Sequence, residues 1–360
     1  MKIALINTIK PEAGSGDGIT DYTYRLYERL KKHNRVDLVY GLRESRRNDV
    51  SGNIIIHSLF KSKIRGLAGM DYDIIHITNQ ELGFAAKILK KAGTKAKIVI
   101  SVHDLMRLDE HEKRDFHKGV LQSTFNYMVS SSMHDGIRYS DMIVFTASTV
   151  QRDSMKRFKI KRWCTTLLGP KEHFRRSRIP PKRHGEHVNI GWVGALAFRK
   201  NAIFILKTAL LVKDDDRYRF AVWGDGAERQ NLINFKNENS LDKVDFKGFA
   251  PENGLMRIYD SFDIFFYPSL EEGSSLPILD AQARGLPVIV HRDNHMDIEV
   301  TKYCFAAKNP KEAVKLIKKL SEMGYDAKLR KRATAYARSF SWDRVAKGTF
   351  DAYKSLLKYE

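Results

Sequence analysis

Short, almost wholly apolar runs alternate along the chain with longer stretches whose apolar residues recur every three to four positions. That alternation predicts buried parallel strands separated by helices. In the first half the strand-like runs fall at 2–9, 36–40, 54–58, 74–77, 98–102 and 142–145. Helical spacing stands between them from about Ile19 through Tyr22, Leu26, Tyr27 and Leu30, then over 82–91, over 121–139, and onward from Thr149. In the second half the strands predicted at 189–194, 220–223, 244–249, 264–267 and 287–290 alternate with helices at 202–212, 229–236, 253–261 and 277–284, and a further amphipathic helix spans 310–321. Each half therefore reads as a doubly wound α/β sheet. Residues 171–187 break the pattern, being basic, proline-containing and without apolar periodicity, and are expected to be a linker. The predicted organisation is a first domain at 1–170, the linker at 171–187, a second domain at 188–338 and a closing segment at 339–360. In that last segment Trp342, Val345, Ala346, Phe350, Tyr353 and Leu357 form one stripe. A chain of 360 residues exceeds one small core, which agrees with two domains.

Candidate chemistry concentrates in residues 263–291. The strand 264–267 is closed by Pro268, which cannot donate to a sheet ladder. The loop Glu271-Glu272-Gly273-Ser274-Ser275 follows, and Pro277 suits the first turn of a helix that stops at Gly285. A helix start with free amides attracts phosphate, so Ser274, Ser275 and Leu276 are candidate anion donors. Glu272 and Asp280, eight positions apart, place one carboxylate at the loop mouth and one on the helix behind it. Either they bind a ligand, or Glu272 caps the helix and Asp280 is solvated.

Other candidates follow the same logic. Gly14, Gly16 and Gly18 lie between a strand and a helix, as a phosphate cradle or as a plain flexible turn. His103 stands at the carboxyl end of strand 98–102, where α/β sheets bind ligands, although polar residues there are often simple caps; His76 is a second such histidine. Gly194 closes the first strand of the second domain, and Lys200 precedes a helix, facing its positive end, which favours a bound anion. Gly226 belongs to a tight Gly-Asp-Gly turn, and Phe249 ends the strand beyond it, where residue type alone makes it a core residue.

The stretch Glu-Gly-Ser-Ser-Leu-Pro-Ile-Leu-Asp, then Ala-Gln-Ala-Arg-Gly-Leu-Pro-Val, resembles the Glu-x7-Glu segment of retaining family-four glycosyltransferases. Phe340-Ser-Trp342 resembles the family's closing helix, and the resemblance runs over 1–357, densely after 188 and sparsely before 100. It implies GT-B architecture: two Rossmann-like domains with a cleft between them and a C-terminal helix crossing back to the first. The implied activity is that of a hexosyltransferase-type enzyme moving a sugar from a nucleotide diphosphate sugar to an acceptor hydroxyl, with retained configuration. By resemblance, His103 approaches the donor sugar and Glu272 holds its hydroxyls; these are the implied catalytic residues. Lys200 neutralises the diphosphate, Asp280 stands where the family has a ribose-binding Glu, and Gly18, Gly194, Gly226, Phe249, Ser274, Ser275 and Leu276 line the donor. The family's diphosphate-binding Arg is Ala195 here, with Arg199 as the substitute, and Asp17 replaces a loop glycine. No cofactor and no metal are implied. The alternatives are a GT-B sugar-nucleotide epimerase or phosphorylase-like enzyme, or a non-catalytic polyanion-binding protein of the same fold.

Charge narrows the partners. Sixty-three basic against forty-three acidic residues give a net charge of +20, clustered at 31–32, 43–47, 61–65, 156–162, 175–184 and 328–332. Such a field suits a polyanion. Zinc-finger spacing and aromatic ribonucleoprotein motifs are missing, so nucleic acid is not expected; an anionic membrane surface and a sugar or lipid-linked acceptor are. Two cysteines make no disulfide framework, and no run reaches the roughly 18 apolar residues of a membrane span. The residues 3–9 are read as a strand rather than a signal peptide. The expected location is cytoplasmic, peripheral on the inner face of the membrane.

Overall fold

The computed structural model describes residues 1–12, 18–43, 60–105, 120–179 and 186–358. The chain divides into two compact units, Met1–Leu167 with Trp342–Glu360, and Leu168–Ser341. Each is built on one six-stranded sheet whose paired strands are all parallel.

In the first unit the sheet order is β2-β1-β3-β4-β5-β6. Its strands are β1 (Lys2–Ile9), β2 (Arg35–Arg43), β3 (Ile74–Ile77), β4 (Lys97–Val102), β5 (Met142–Phe145) and β6 (Trp163–Thr165). Strands β3 and β5 are buried at every position, as continuous apolar runs in a doubly covered sheet must be. The three-residue β6 was not predicted, because Trp-Cys-Thr is too short and too mixed to signal a strand. The strand expected at 54–58 and the glycine loop through residue 17 lie outside the described residues. The helix Trp342–Leu357 belongs to this unit and buries Trp342, Val345, Ala346, Thr349, Ala352, Tyr353 and Leu356. The expected stripe is thus correct at Trp342, Val345, Ala346 and Tyr353, and Leu356 replaces Leu357.

The second unit has the order β12-β11-β10-β7-β8-β9. The strands are β7 (Val188–Val193), β8 (Tyr218–Trp223), β9 (Val244–Gly248), β10 (Ile264–Tyr267), β11 (Val288–His291) and β12 (Phe305–Ala307). The chain lays β7, β8 and β9 outward in one direction, then returns to place β10 on the other side of β7, with Ile264 opposite Ile190. Strand order reverses between β7 and β10, and ligands of open α/β sheets sit beyond the carboxyl ends of the strands at such a reversal.

The stretch expected as a linker is structured in its first half. Helix Glu172–Arg176 sends fully buried Phe174 into the second unit's core, edge-on to Tyr259 at 5.2 Å between centroids. One apolar residue among basic ones carries no periodicity, so only the packing exposes it. Among the described residues no helix is long and apolar enough to cross a membrane.

Candidate functional site

The reversal point brings the loops after β7 and β10 together, and backbone hydrogen bonds stitch them. The Leu270 amide donates to the Arg199 carbonyl (2.9 Å), the His295 amide to Leu270 (2.7 Å) and the Glu272 amide to His295 (3.3 Å). Asn201, between the β7 loop and helix Ala202–Leu210, has φ +53° and donates from its side chain to the Pro268 carbonyl at 3.1 Å. Glycine and asparagine are the residues that accept this left-handed conformation readily, which accounts for the residue type after Lys200.

On this platform stands a compact polar cluster. The Lys200 ammonium, only 8% exposed as a residue, donates to Glu272 Oε1 and to the Tyr267 hydroxyl at 2.8 Å. Tyr267 donates in turn to Glu272 Oε1 at 3.0 Å, and Ser269 Oγ to the same oxygen at 2.9 Å. The Arg199 guanidinium reaches Glu272 Oε2 at 3.2 Å and the Glu271 carbonyl at 3.3 Å. Burial alone would push the Glu272 carboxyl up, but Lys200 and Arg199 outweigh it and hold it below the usual carboxylate value. Burial, reinforced by the neighbouring Glu272 charge, pushes the Tyr267 phenol well above its ordinary value, so it keeps its proton.

Backbone packing explains the glycines. Gly224 has φ +145°, and a Cβ there would fall 1.7 Å from the Gly194 carbonyl oxygen; at Gly226, φ +155°, it would fall 2.5 Å from that of Leu196. The Gly194 amide donates to Trp223 (3.0 Å) and the Leu196 amide to Asp225 (2.9 Å), so the loops after β7 and β8 run main chain against main chain. Ala195 is exposed on that loop.

Other predicted residues fall as follows. The Leu276 amide is taken by the Ser274 carbonyl at 3.1 Å, which removes it as an anion donor. The amides of Ser274 and Ser275 have no acceptor among the described residues. Asp280 is neither solvated nor open: it is 2% exposed, and Oδ1 accepts from the Lys171 amide at 2.8 Å, tying helix Glu172–Arg176 to helix Leu276–Ala283. Phe249 is 66% exposed, which removes its reading as a core residue. In the first unit His103 is 9% exposed, with Nε2 on the Thr78 carbonyl at 2.9 Å and Nδ1 paired with the Thr146 hydroxyl at 3.2 Å. A carbonyl only accepts, so Nε2 carries a proton toward Thr78. Gly18 opens helix Gly18–Leu30 with nothing within 4 Å of a built Cβ. Burial pushes the Cys164 thiol up to about 11 and Cys304 to about 12, so neither is primed as a nucleophile.

Sequence reasoning missed Tyr267 and Ser269. Their only signal is a polar tip on an otherwise apolar strand, Ile-Phe-Phe-Tyr-Pro-Ser.

Two parallel six-stranded sheets with flanking helices define a GT-B protein of two Rossmann-like domains, and comparison with solved structures agrees. Sucrose-phosphate synthase from Thermosynechococcus elongatus superposes with a TM-score of 0.76 at 16% identity, covering 100% of both chains. HepE of Anabaena, in complex with UDP and glucose, gives 0.74 at 14% identity over 99% of this chain and 100% of that one. At such identity the likeness concerns the fold. Residues 175–340, most of the second unit, match the family model of glycosyl transferases group 1. Among curated relatives, O-antigen chain mannosyltransferase B of Escherichia coli is 26% identical over 175 residues, 46% of this chain and 45% of that protein. The Escherichia coli UDP-Gal:alpha-D-GlcNAc-diphosphoundecaprenol alpha-1,3-galactosyltransferase is 33% identical over 107 residues, 28% of this chain and 27% of that protein. The chain spans less than half the length of these relatives.

Proposed function

We propose that this protein transfers a hexose from a nucleotide diphosphate sugar to an acceptor hydroxyl, with the anomeric configuration retained. The observation that carries the reading is the Lys200–Arg199–Glu272 cluster at the strand-order reversal of a glycosyl transferases group 1 domain. When the bond between sugar and diphosphate breaks, negative charge grows on the departing phosphate. Preorganised cations at that place lower the barrier most. Lys200 and Arg199 supply them, and Arg199 covers for the alanine at 195. The amides of Ser274 and Ser275 add fixed donors. Ionised Glu272 accepts from the sugar hydroxyls. Gly194 and Gly226 let the backbone loops beneath the nucleotide approach each other, and exposed Phe249 stacks on its base.

The acceptor is lipid-linked, presented at an anionic membrane face that the net charge of +20 favours. The relative whose name carries a diphosphoundecaprenol acceptor supports this class. Flotation with anionic vesicles, salt-sensitive and weak with zwitterionic ones, is the expected result; no charge dependence sinks the membrane part.

The donor site is tested by thermal shift with UDP-, GDP-, ADP- and dTDP-sugars on wild type, Lys200→Ala and Glu272→Ala. One nucleotide class stabilises the wild type, by about 2.7 kcal/mol at a hundredfold excess over Kd, and Lys200→Ala loses the effect. A wild-type protein indifferent to all four classes overturns the reading.

A further inference from the structure

Tyr267 is the last residue of β10 and is fully buried. The strand before it is Ile-Phe-Phe, and a phenylalanine at 267 would satisfy the same core. A buried hydroxyl is costly unless it is bonded. This one is bonded twice, to the two groups of opposite charge at the candidate donor site. It accepts from Lys200 Nζ at 2.8 Å and donates to Glu272 Oε1 at 3.0 Å.

The two carboxylate oxygens are used unequally. Oε1 takes three donors, from Lys200, Tyr267 and Ser269, more than its two lone pairs, and is saturated; Oε2 takes one Arg199 nitrogen and keeps acceptor capacity. The phenol cannot swing away. Its ring is nearly parallel to Trp192 (6.4 Å, 21°) and to Phe265 (5.7 Å, 14°).

We propose that Tyr267 is the positioning residue of this site: its hydroxyl locks Lys200 to one oxygen of Glu272 so that the other oxygen faces the sugar. The inference rests on the donor-site reading above. Within that reading it explains why a strand end that needs only an apolar ring carries a phenol. Ser269 supports the same oxygen from the loop.

The test is Tyr267→Phe, which keeps the ring and removes the hydroxyl. Two quantities are read. The first is the titration of the Glu272 carboxyl by carbon NMR in the ligand-free protein, assigned with Glu272→Gln. With one donor gone, the Glu272 midpoint moves upward in Tyr267→Phe. The second is the ratio of affinities for a nucleotide sugar and its bare nucleoside diphosphate, run with UDP-glucose and UDP, and GDP-mannose and GDP. The gain due to the sugar falls about tenfold, while bare diphosphate stays within about twofold of wild type. A Glu272 midpoint that coincides with wild type overturns the proposal, whatever the ligands do. Should Tyr267→Phe fail to fold, Ser269→Ala must raise the same midpoint, and its failure to do so is equally fatal. A wild-type protein that binds none of these ligands removes the donor-site reading instead, and the midpoint still decides whether Tyr267 holds the carboxylate.

Discussion

The two units each bury a polar cluster near the middle of their sheet, and the clusters are opposite in kind. In the second unit Glu272 is surrounded by Lys200 and Arg199 and stays ionised. In the first, Tyr353 of the last helix bonds His76 Nδ1, His76 Nε2 bonds Ser101 Oγ at 2.8 Å, and Ser101 bonds the Tyr22 hydroxyl at 2.9 Å. All four residues are fully buried. Among the described residues no charged group bonds this chain, and burial, with a smaller push from His103, drives His76 down to about 3. Burial also holds the Tyr22 and Tyr353 phenols above their ordinary value. The neutral chain fastens helix Trp342–Leu357 to β3 and β4. The charged cluster is organised around charges that a ligand can exchange. Countercharge or its absence separates the two roles.

Removing one charge is the strongest way to break that contrast. Glu272→Ala leaves the nearly buried Lys200 without its carboxylate and costs about 3–5 kcal/mol in urea unfolding. Replacing Lys200 and Glu272 together by Met and Leu recovers most of the loss. A single-variant loss below about 1 kcal/mol would mean that the cluster is effectively wet.

Acid separates the two clusters by window. The folded His76 pKa lies below its unfolded value of 6.5, so between about 6.5 and 3 only the unfolded chain takes the proton. Stability therefore falls as pH drops through that range, with a slope approaching one proton. His76→Gln removes the slope. The Glu272 contribution is present above its unfolded value of 4.5 and is lost only below it. Urea midpoints measured from pH 7 to 4.5 thus report the first unit, and further acid adds the second.

Tyr353→Phe is smaller. It deprives His76 Nδ1 of its partner and costs about 1–2 kcal/mol, read as earlier proteolysis of the last helix. Smallest is Asp343→Asn, which removes the 2.7 Å ion pair with Arg29. Asp343 is largely solvated, so the expected loss stays under about 1 kcal/mol by the same unfolding assay.

The candidate site was legible to an uneven degree. Glu272 stood out as a carboxylate in a glycine- and serine-containing loop before a helix, Lys200 as a cation at a helix start, and Arg199 only through the resemblance that left Ala195 in the family's arginine position. Asp280 misled, because a carboxylate on the inner face of a helix looks the same in sequence whether it meets a ribose or the Lys171 amide. The Leu276 amide misled likewise, since a local turn through Ser274 consumes it. Phe249 reads as core by residue type and is exposed by position.

By itself the sequence determined which segments are buried strands, where the chain turns, and which charged residues stand at strand ends, because periodicity and turn chemistry are local. Strand neighbours were decided only in three dimensions. Near-continuous apolar runs say that β7 and β10 are buried, and nothing in them says that the chain passes β8 and β9 before laying β10 beside β7. That adjacency brings Lys200 to Glu272 across 72 residues. It also turns a strand-end tyrosine into the group that joins them.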